Sequence, residues 1–242
     1  MNAKIGTLYG IGVGPGDPEL ISLKAVKVLN SVDVLFAASS TKNTHSQAVD
    51  IAKPHIPENA AVTMLAFPMV KDFNKAQKKW EENALAIINE LNQGKDAAFI
   101  TLGDSMTYST YGYILKHVKR LEPDINIISI PGITAYQAAA ARTNTPLVEG
   151  EEALLILSGV HGGERLRNLA EKPENVVFMK AYKNTKDICL ALDEAGLIEN
   201  SIAINRCGLA DEKIIEDVKS LENMPPDYWT LILAKQKTKN GA

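Results

Sequence analysis

The sequence predicts an α/β protein of two domains, and three observations predict it. Three strand–glycine-loop–helix units fall within residues 1–142. The stretch Asn144-Thr-Pro-Leu-Val-Glu-Gly150 then breaks that rhythm, and alternation resumes beyond it in shorter form. Strands alternating with helices build sheets with parallel strands, whose connecting loops gather at the carboxyl edge. The expected domains are residues 1–145 and 146–242.

The first unit is organised by Gly10-Ile-Gly-Val-Gly-Pro-Gly-Asp-Pro18, which follows the apolar run Thr7-Leu-Tyr9. Its glycines permit positive φ angles and close approach to a ligand. Asp17 and Pro18 stand where an N-cap and an N1 proline belong, ahead of a helix over 19–29. Residues 33–37 read as a buried strand, 39–45 as a polar loop, 46–53 as a short helix and 61–66 as a strand. A long helix is expected over 73–93, with Gly94 at C′. Trp80, Ala84, Ile87, Ile88 and Leu91 form its core-facing stripe.

Ala97-Ala-Phe-Ile-Thr-Leu102 is continuously apolar, as a strand buried on both faces of a parallel sheet should be. It leads into Gly103-Asp-Ser-Met-Thr-Tyr-Ser-Thr-Tyr111 and a helix to Arg120. A strand over 125–130, the turn Pro131-Gly-Ile-Thr-Ala-Tyr136 and an alanine-rich helix to Arg142 repeat the theme. In the second half, strands are expected over 153–157, 176–179, 201–206 and 228–234, with a short one over 213–218. Helices are expected over 163–170 and 185–195, and the strand directions should be mixed.

Composition narrows the function classes. A net charge of −3 with scattered Lys and Arg disfavours a nucleic-acid binder, which needs a basic face. No apolar run reaches the length of a membrane span, and the amino terminus lacks a signal-peptide core, so cytoplasm is the expected setting. Cys189 and Cys207 form no C-x-x-C pair. His45, His55 and His117 show no ligand spacing, and no metal site is expected.

The loops at 10–18, 103–111 and 131–136 each follow a strand and should share one sheet edge. A ligand there meets backbone N–H groups, the carboxylate of Asp104 and the hydroxyls of Ser105, Thr107, Ser109, Thr110 and Thr134. Such a set suits a neutral or zwitterionic ligand with amine, hydroxyl and purine groups better than a triphosphate. Each feature also has a plainer reading. Asp17 can be a cap, Gly103-Asp104 a turn, and 107–111 capping hydroxyls with core aromatics. His161, the one histidine in a glycine-rich loop, and Cys207 can both be structural. A nicotinamide-dependent oxidoreductase fails on spacing: G-x-G-x-x-G needs glycine at position 15 or 17, which hold Pro15 and Asp17. Asp33 is the one feature in its favour, and a non-enzymatic binding module also remains open.

Taken together, 6–29, 102–111, Pro131-Gly-Ile-Thr-Ala135 and Trp229-Thr-Leu-Ile-Leu-Ala234 resemble the tetrapyrrole methylase family, across essentially the whole chain. The first segment and the Tyr-Ser-Thr-Tyr run are similar to the C20 branch, which acts on precorrin-2 or cobalt-factor II. The resemblance implies two α/β domains with a cofactor cleft between them, a homodimer, a tetrapyrrole substrate and S-adenosylmethionine as cofactor. Family cofactor contacts carry over to Pro15, Gly103, Asp104, Met106, Thr107, Thr134, Ala135, Met179, Tyr182, Cys207 and Ala234. Ser105 departs from the family's Gly-Asp-Pro, which puts the loop's stiffness in question. Asp17 is the candidate catalytic residue, orienting the macrocycle or accepting a proton. Lys42, Lys71, Arg142 and Arg165 are candidate partners for the substrate's carboxylates, and any cobalt belongs to the substrate.

Overall fold

The computed structural model describes residues 5–40, 45–68 and 72–236. Two units divide between Thr134 and Ala135, each with its own five-stranded sheet. The first runs β1 (Leu8–Gly12), α1 (Leu23–Leu29), β2 (Val34–Ser40), α2 (Gln47–Ala52), β3 (Val62–Phe67), α3 (Phe73–Asn92), β4 (Ala97–Thr101), α4 (Tyr111–Leu121) and β5 (Ile127–Ile130). Its strands are all parallel, in the order β3-β2-β4-β1-β5. Residues 97–101 are buried at every position, because helices cover both faces. Alternate side chains of one strand serve opposite faces. Ile11, Leu35, Ala98 and Ile100 meet Ala25, Leu29 and Ile51 of α1 and α2. Leu8, Phe36, Ala97 and Phe99 meet Trp80, Ala84, Ile87, Leu91, Ile114 and Val118 of α3 and α4. Each large apolar side chain so buried contributes about 1.5–3 kcal/mol.

This order places a switch point where it matters. The chain leaves β1 toward β2 on one side and leaves β4 toward β5 on the other, although β1 and β4 are neighbours. Open α/β sheets bind ligands in the crevice at the carboxyl ends of such strands.

The first helix starts later than expected. Asp17 and Pro18 do cap and open a turn, but it is a single 3-10 turn, Pro18–Leu20. Ile21 and Ser22 are extended, and Ser22 then caps α1, its Oγ accepting from Ala25 N–H at 3.2 Å. A second capping residue three positions before Ala25 thus outcompetes continuation of the first turn.

The second unit runs α5 (Ala135–Arg142), β6 (Leu154–Ser158), α6 (Glu164–Arg167), β7 (Asn175–Met179), α7 (Thr185–Glu194), β8 (Ser201–Asn205), β9 (Lys213–Ile215) and β10 (Thr230–Lys235). The sheet order is β6-β7-β10-β8-β9, with only β6 and β7 parallel, so the strand directions are mixed. α6 keeps only four residues of the expected helix. The Lys172 ammonium ends it by donating to the carbonyls of Leu166, Arg167 and Leu169 at 2.8, 2.7 and 3.0 Å. α5 packs Ala139 and Ala140 on Val177, Ile204, Leu231 and Leu233. That packing sets the division at 134/135 rather than the expected 145/146, because the alanine-rich helix belongs to the second sheet.

His117, on the buried side of α4, is held below its ordinary value of 6.5 by burial and by the nearby Arg120 guanidinium. The unfolded chain therefore takes up this proton at a higher pH than the folded chain, and stability falls as pH drops below about 6.5. Thermal melts of the wild type between pH 7.5 and 5.5 should show a steeper loss than those of His117→Gln. Parallel slopes would show that His117 carries none of this dependence.

Candidate functional site

Three loops of the first unit leave the carboxyl ends of β1, β4 and β5, with β1 seated between the other two. Their backbones interlock. Gly14 and Gly103 exchange both hydrogen bonds, at 3.1 and 2.7 Å, forming an antiparallel bridge beyond the parallel strands. Val13 N–H adds a bond to the Thr101 carbonyl at 3.0 Å. Gly132 donates to Asp104 Oδ2 at 3.1 Å, tying in the third loop.

The glycines serve this contact more than contact with a ligand. A Cβ on Gly12 would lie 2.5 Å from the Gly103 carbonyl oxygen, and one on Gly132 would lie 2.2 Å from the same atom. Of the four glycines in the first loop, only Gly14 takes a positive φ, at 84°. The expectation that all four allow a ligand close approach is therefore corrected: Gly12 allows the approach of one loop to another.

The polar side chains of these loops turn inward. Asp104 Oδ1 accepts from Met106 N–H at 2.9 Å and from the Thr107 hydroxyl at 3.0 Å, while Oδ2 holds Gly132. Ser105 is fully buried, and its hydroxyl donates to the Ile130 carbonyl at 3.1 Å. This hydrogen bond braces the loop at position 105 in a way that a proline could not. Ser109 donates to Thr101 Oγ1 and accepts from Tyr111 N–H, both at 3.0 Å, as a capping hydroxyl. Tyr111 is a buried core aromatic bonded to Ser129 Oγ at 3.0 Å, and burial raises its pKa. What remains outward is main chain together with Met106, Tyr108 and Ile133, at 59, 47 and 36% exposure. Tyr108 holds a φ of +51°, strain of the order of 1–3 kcal/mol that tends to mark functional loops. No Lys or Arg occurs within 5–18, 102–110 or 130–135. The set offers backbone and apolar contacts to a ligand and no cation for a polyphosphate.

Pro15 is buried directly after the Gly14 bridge, and Thr134 is buried at the end of the third loop. Together with Gly103, Asp104, Met106 and Thr107, these residues share the first unit's carboxyl edge. Asp17 Oδ1 accepts from Glu19 N–H at 2.9 Å, so its cap reading is realised. Asp33 precedes β2 at the amino edge, where its carboxylate accepts from Asp96 N–H at 2.8 Å. It cannot reach a nucleotide ribose at the carboxyl edge, and the nicotinamide reading loses its one supporting residue.

In the second unit, Ala135 opens α5, and Met179 and Cys207 end or follow β7 and β8, which flank β10 at one edge. Tyr182 lies at this edge too, with its ring 5.2 Å from that of Tyr228. Ala234 does not join them. It pairs with Ser201 and Val176 at the opposite end of the sheet, four residues or roughly 13 Å along β10 from Thr230, and is buried in the core. Burial, followed by the neighbouring Glu212, pushes the Cys207 thiol up to about 12, so it is an inert packed group. Glu212 is the residue that sequence reading missed here. It accepts from Arg142 Nε at 2.6 Å and from Gly208 N–H at 2.8 Å, closing the loop after β8 onto α5. Arg142 is thereby held in a surface ion pair with Glu212, Arg165 is exposed on α6, and Lys42 and Lys71 lie outside the described residues. His161 is exposed, and no group of His, Cys, Asp and Glu suited to a metal occurs among the described residues.

A family model described as Tetrapyrrole (Corrin/Porphyrin) Methylases matches residues 7–222. The chain is 30% identical to the cobalt-precorrin-2 C(20)-methyltransferase of Salmonella typhimurium, over 96% of this chain and 97% of that one. It is 34% identical to a probable cobalt-precorrin-2 C(20)-methyltransferase of Methanocaldococcus jannaschii, over 98% and 99%. The fold is similar to uroporphyrin-III C-methyl transferase of Thermus thermophilus complexed with S-adenyl homocysteine, at a TM-score of 0.70, 18% identity, and 95% and 92% coverage.

The interlock predicts a sharp contrast between two alanine substitutions. Gly132→Ala must push apart two backbones, whereas a Cβ at Gly112 in α4 meets nothing within 4 Å. Thermal denaturation should show Gly132→Ala lower by several degrees and Gly112→Ala unchanged or higher, since alanine in a helix gains about 0.5–1 kcal/mol over glycine. Equal melting temperatures would contradict the interlock.

Proposed function

We propose that this chain, which belongs to the tetrapyrrole methylase family, transfers a methyl group from S-adenosylmethionine to C20 of precorrin-2 or cobalt-factor II in cobalamin biosynthesis. Its class, a tetrapyrrole C-methyltransferase, follows from the family. The position C20 is supported by the names of near-full-length relatives and by the 6–29 and Tyr-Ser-Thr-Tyr segments. Methylation at another tetrapyrrole position is the alternative, since other members share the fold.

The observation that carries the cofactor assignment is the character of the interlocked loops. They turn their polar side chains inward, carry no cation and leave main chain and apolar side chains outward. Pro15, Gly103, Asp104, Met106, Thr107 and Thr134 would hold the cofactor, with Asp104 shaping the loop from within. Ala135, Met179, Tyr182 and Cys207 are the proposed contacts from the second unit. When bound, S-adenosylmethionine supplies an electrophilic methyl group. The protein's part is to hold an electron-rich meso carbon in line with it and to exclude water, which requires position more than a strong base. Asp104 has both oxygens engaged, while Asp17 uses Oδ1 alone for its cap. Asp17 is therefore the loop carboxylate assigned to orient the macrocycle or accept its proton. A cytoplasmic homodimer completes the proposal on the strength of the resemblance.

The test incubates the protein with S-adenosylmethionine and either precorrin-2 or cobalt-factor II, reading mass and then NMR. One added methyl at C20 is expected, and Asp17→Asn, which keeps the cap acceptor, should lower turnover about tenfold or more. A methyl at another carbon would move the activity within the family; no methylation of either macrocycle would sink the C20 reading.

A further inference from the structure

The turn that carries Asp17 is slight. It is a single 3-10 turn, and its own bonds are Leu20 N–H to the Asp17 carbonyl at 3.1 Å and Ile21 N–H to the Pro18 carbonyl at 3.3 Å. The cap from Glu19 N–H to Asp17 Oδ1 is exposed to solvent. One 3-10 turn has poor hydrogen-bond geometry and no neighbouring turn to support it. Segments held only by such local, solvated bonds open at little cost in free energy. A carboxylate that orients a substrate needs a firmer seat.

The structure supplies one from 37 positions away. His55 Nε2 lies 3.0 Å from the Pro18 carbonyl oxygen. That oxygen can only accept, so Nε2 carries the hydrogen and donates it. Protonating the ring adds a hydrogen at Nδ1 and leaves this bond in place. His55 closes the 3-10 turn Lys53–His55 between α2 and β3, and its own main chain is tied down. The His55 carbonyl accepts from Asn30 Nδ2 at 3.1 Å, and the same amide donates to the Val26 carbonyl at 2.8 Å. Ile21 and Ile56 also pack in one core cluster with Ala25, Leu29 and Ile51. Among the described residues, His55 is the only residue outside 17–21 that hydrogen-bonds to the turn 17–20.

The contact falls on the peptide unit that also holds Asp17. The Pro18 carbonyl and Glu19 N–H belong to one peptide group, which is planar and trans. His55 grips its oxygen, and its N–H grips Asp17 Oδ1. Fixing the oxygen therefore fixes the direction of the N–H and with it the plane of the carboxylate. Donation to the carbonyl also polarises the peptide and strengthens its N–H as a donor. We propose that His55 is a positioning residue for Asp17, holding Oδ2 where the macrocycle meets it. This deepens the role given to Asp17 and rests on that reading.

Steady-state methyl transfer to whichever macrocycle the wild type methylates tests the proposal in His55→Leu, His55→Gln, Asp17→Asn and the double variant Asp17→Asn/His55→Leu. His55→Leu should lower kcat about tenfold and leave the KM for S-adenosylmethionine unchanged, because alignment of the macrocycle is what it disturbs. His55→Gln, whose amide N–H stands close to the place of Nε2, should recover most of that loss. With Asn at position 17, His55→Leu should cost less than about twofold more, since the two residues act in one chain. Nitrogen-15 NMR of the imidazole, which needs no substrate and no variant, should show the hydrogen on Nε2. A neutral ring protonated on Nδ1 overturns the proposal, as does full activity of His55→Leu, or an equal loss from it with Asp or Asn at position 17. Full activity of Asp17→Asn strikes the Asp17 reading and this one with it, and a wild type inactive on both macrocycles strikes the C20 reading as well.

Discussion

The first unit depends on the meeting of three backbones at Gly12, Gly103 and Gly132. A Cβ at Gly12 or Gly132 would lie 2.5 or 2.2 Å from the Gly103 carbonyl oxygen, so those two positions close only on hydrogen, while Gly103 itself holds a φ of +67°. Closure extends the parallel sheet by an antiparallel bridge at its carboxyl edge. The chain's strand order brings β1, β4 and β5 side by side, and the glycines let their loops fuse into one surface. Asp104 then joins the second and third loops, and Ser105 anchors the second to β5. Rigidity of this kind is what a methyl-transfer site requires, because its rate rests on alignment.

The sheet and its helices were legible because their side-chain periods are strong. The continuous apolar run at 97–101 and the stripe from Trp80 to Leu91 both lie where hydrophobic periodicity puts them. Helix starts were less legible: Asp17 and Ser22 are both capping residues, and only the extended backbone between them shows that the chain uses both. The place of α5 was not legible, since its short alanine face fits either sheet by composition, and packing on Ile204 and Leu233 decides it. The gathering of three loops on one sheet edge was also legible. It was not legible which glycines pack against protein backbone, because that depends on register between strands far apart in sequence.

Several polar residues singled out by motif have structural work that their spacing did not reveal. Asp104, Ser109 and Arg142 all bond within the protein. Conversely, His55 drew no attention beyond its lack of ligand spacing, although its imidazole holds the Pro18 carbonyl. That contact depends on how the connection from α2 to β3 folds back on the first loop, which no local pattern marks.

The most direct test of this account is a crystal structure of the protein with S-adenosylhomocysteine. It predicts the ligand against residues 103–107 and Thr134, with the Gly14–Gly103 bridge intact and the loop backbones moved by no more than about 1 Å. A ligand seated elsewhere, or a bridge broken to admit it, would contradict the claim that the interlocked loops are a preformed cofactor cradle.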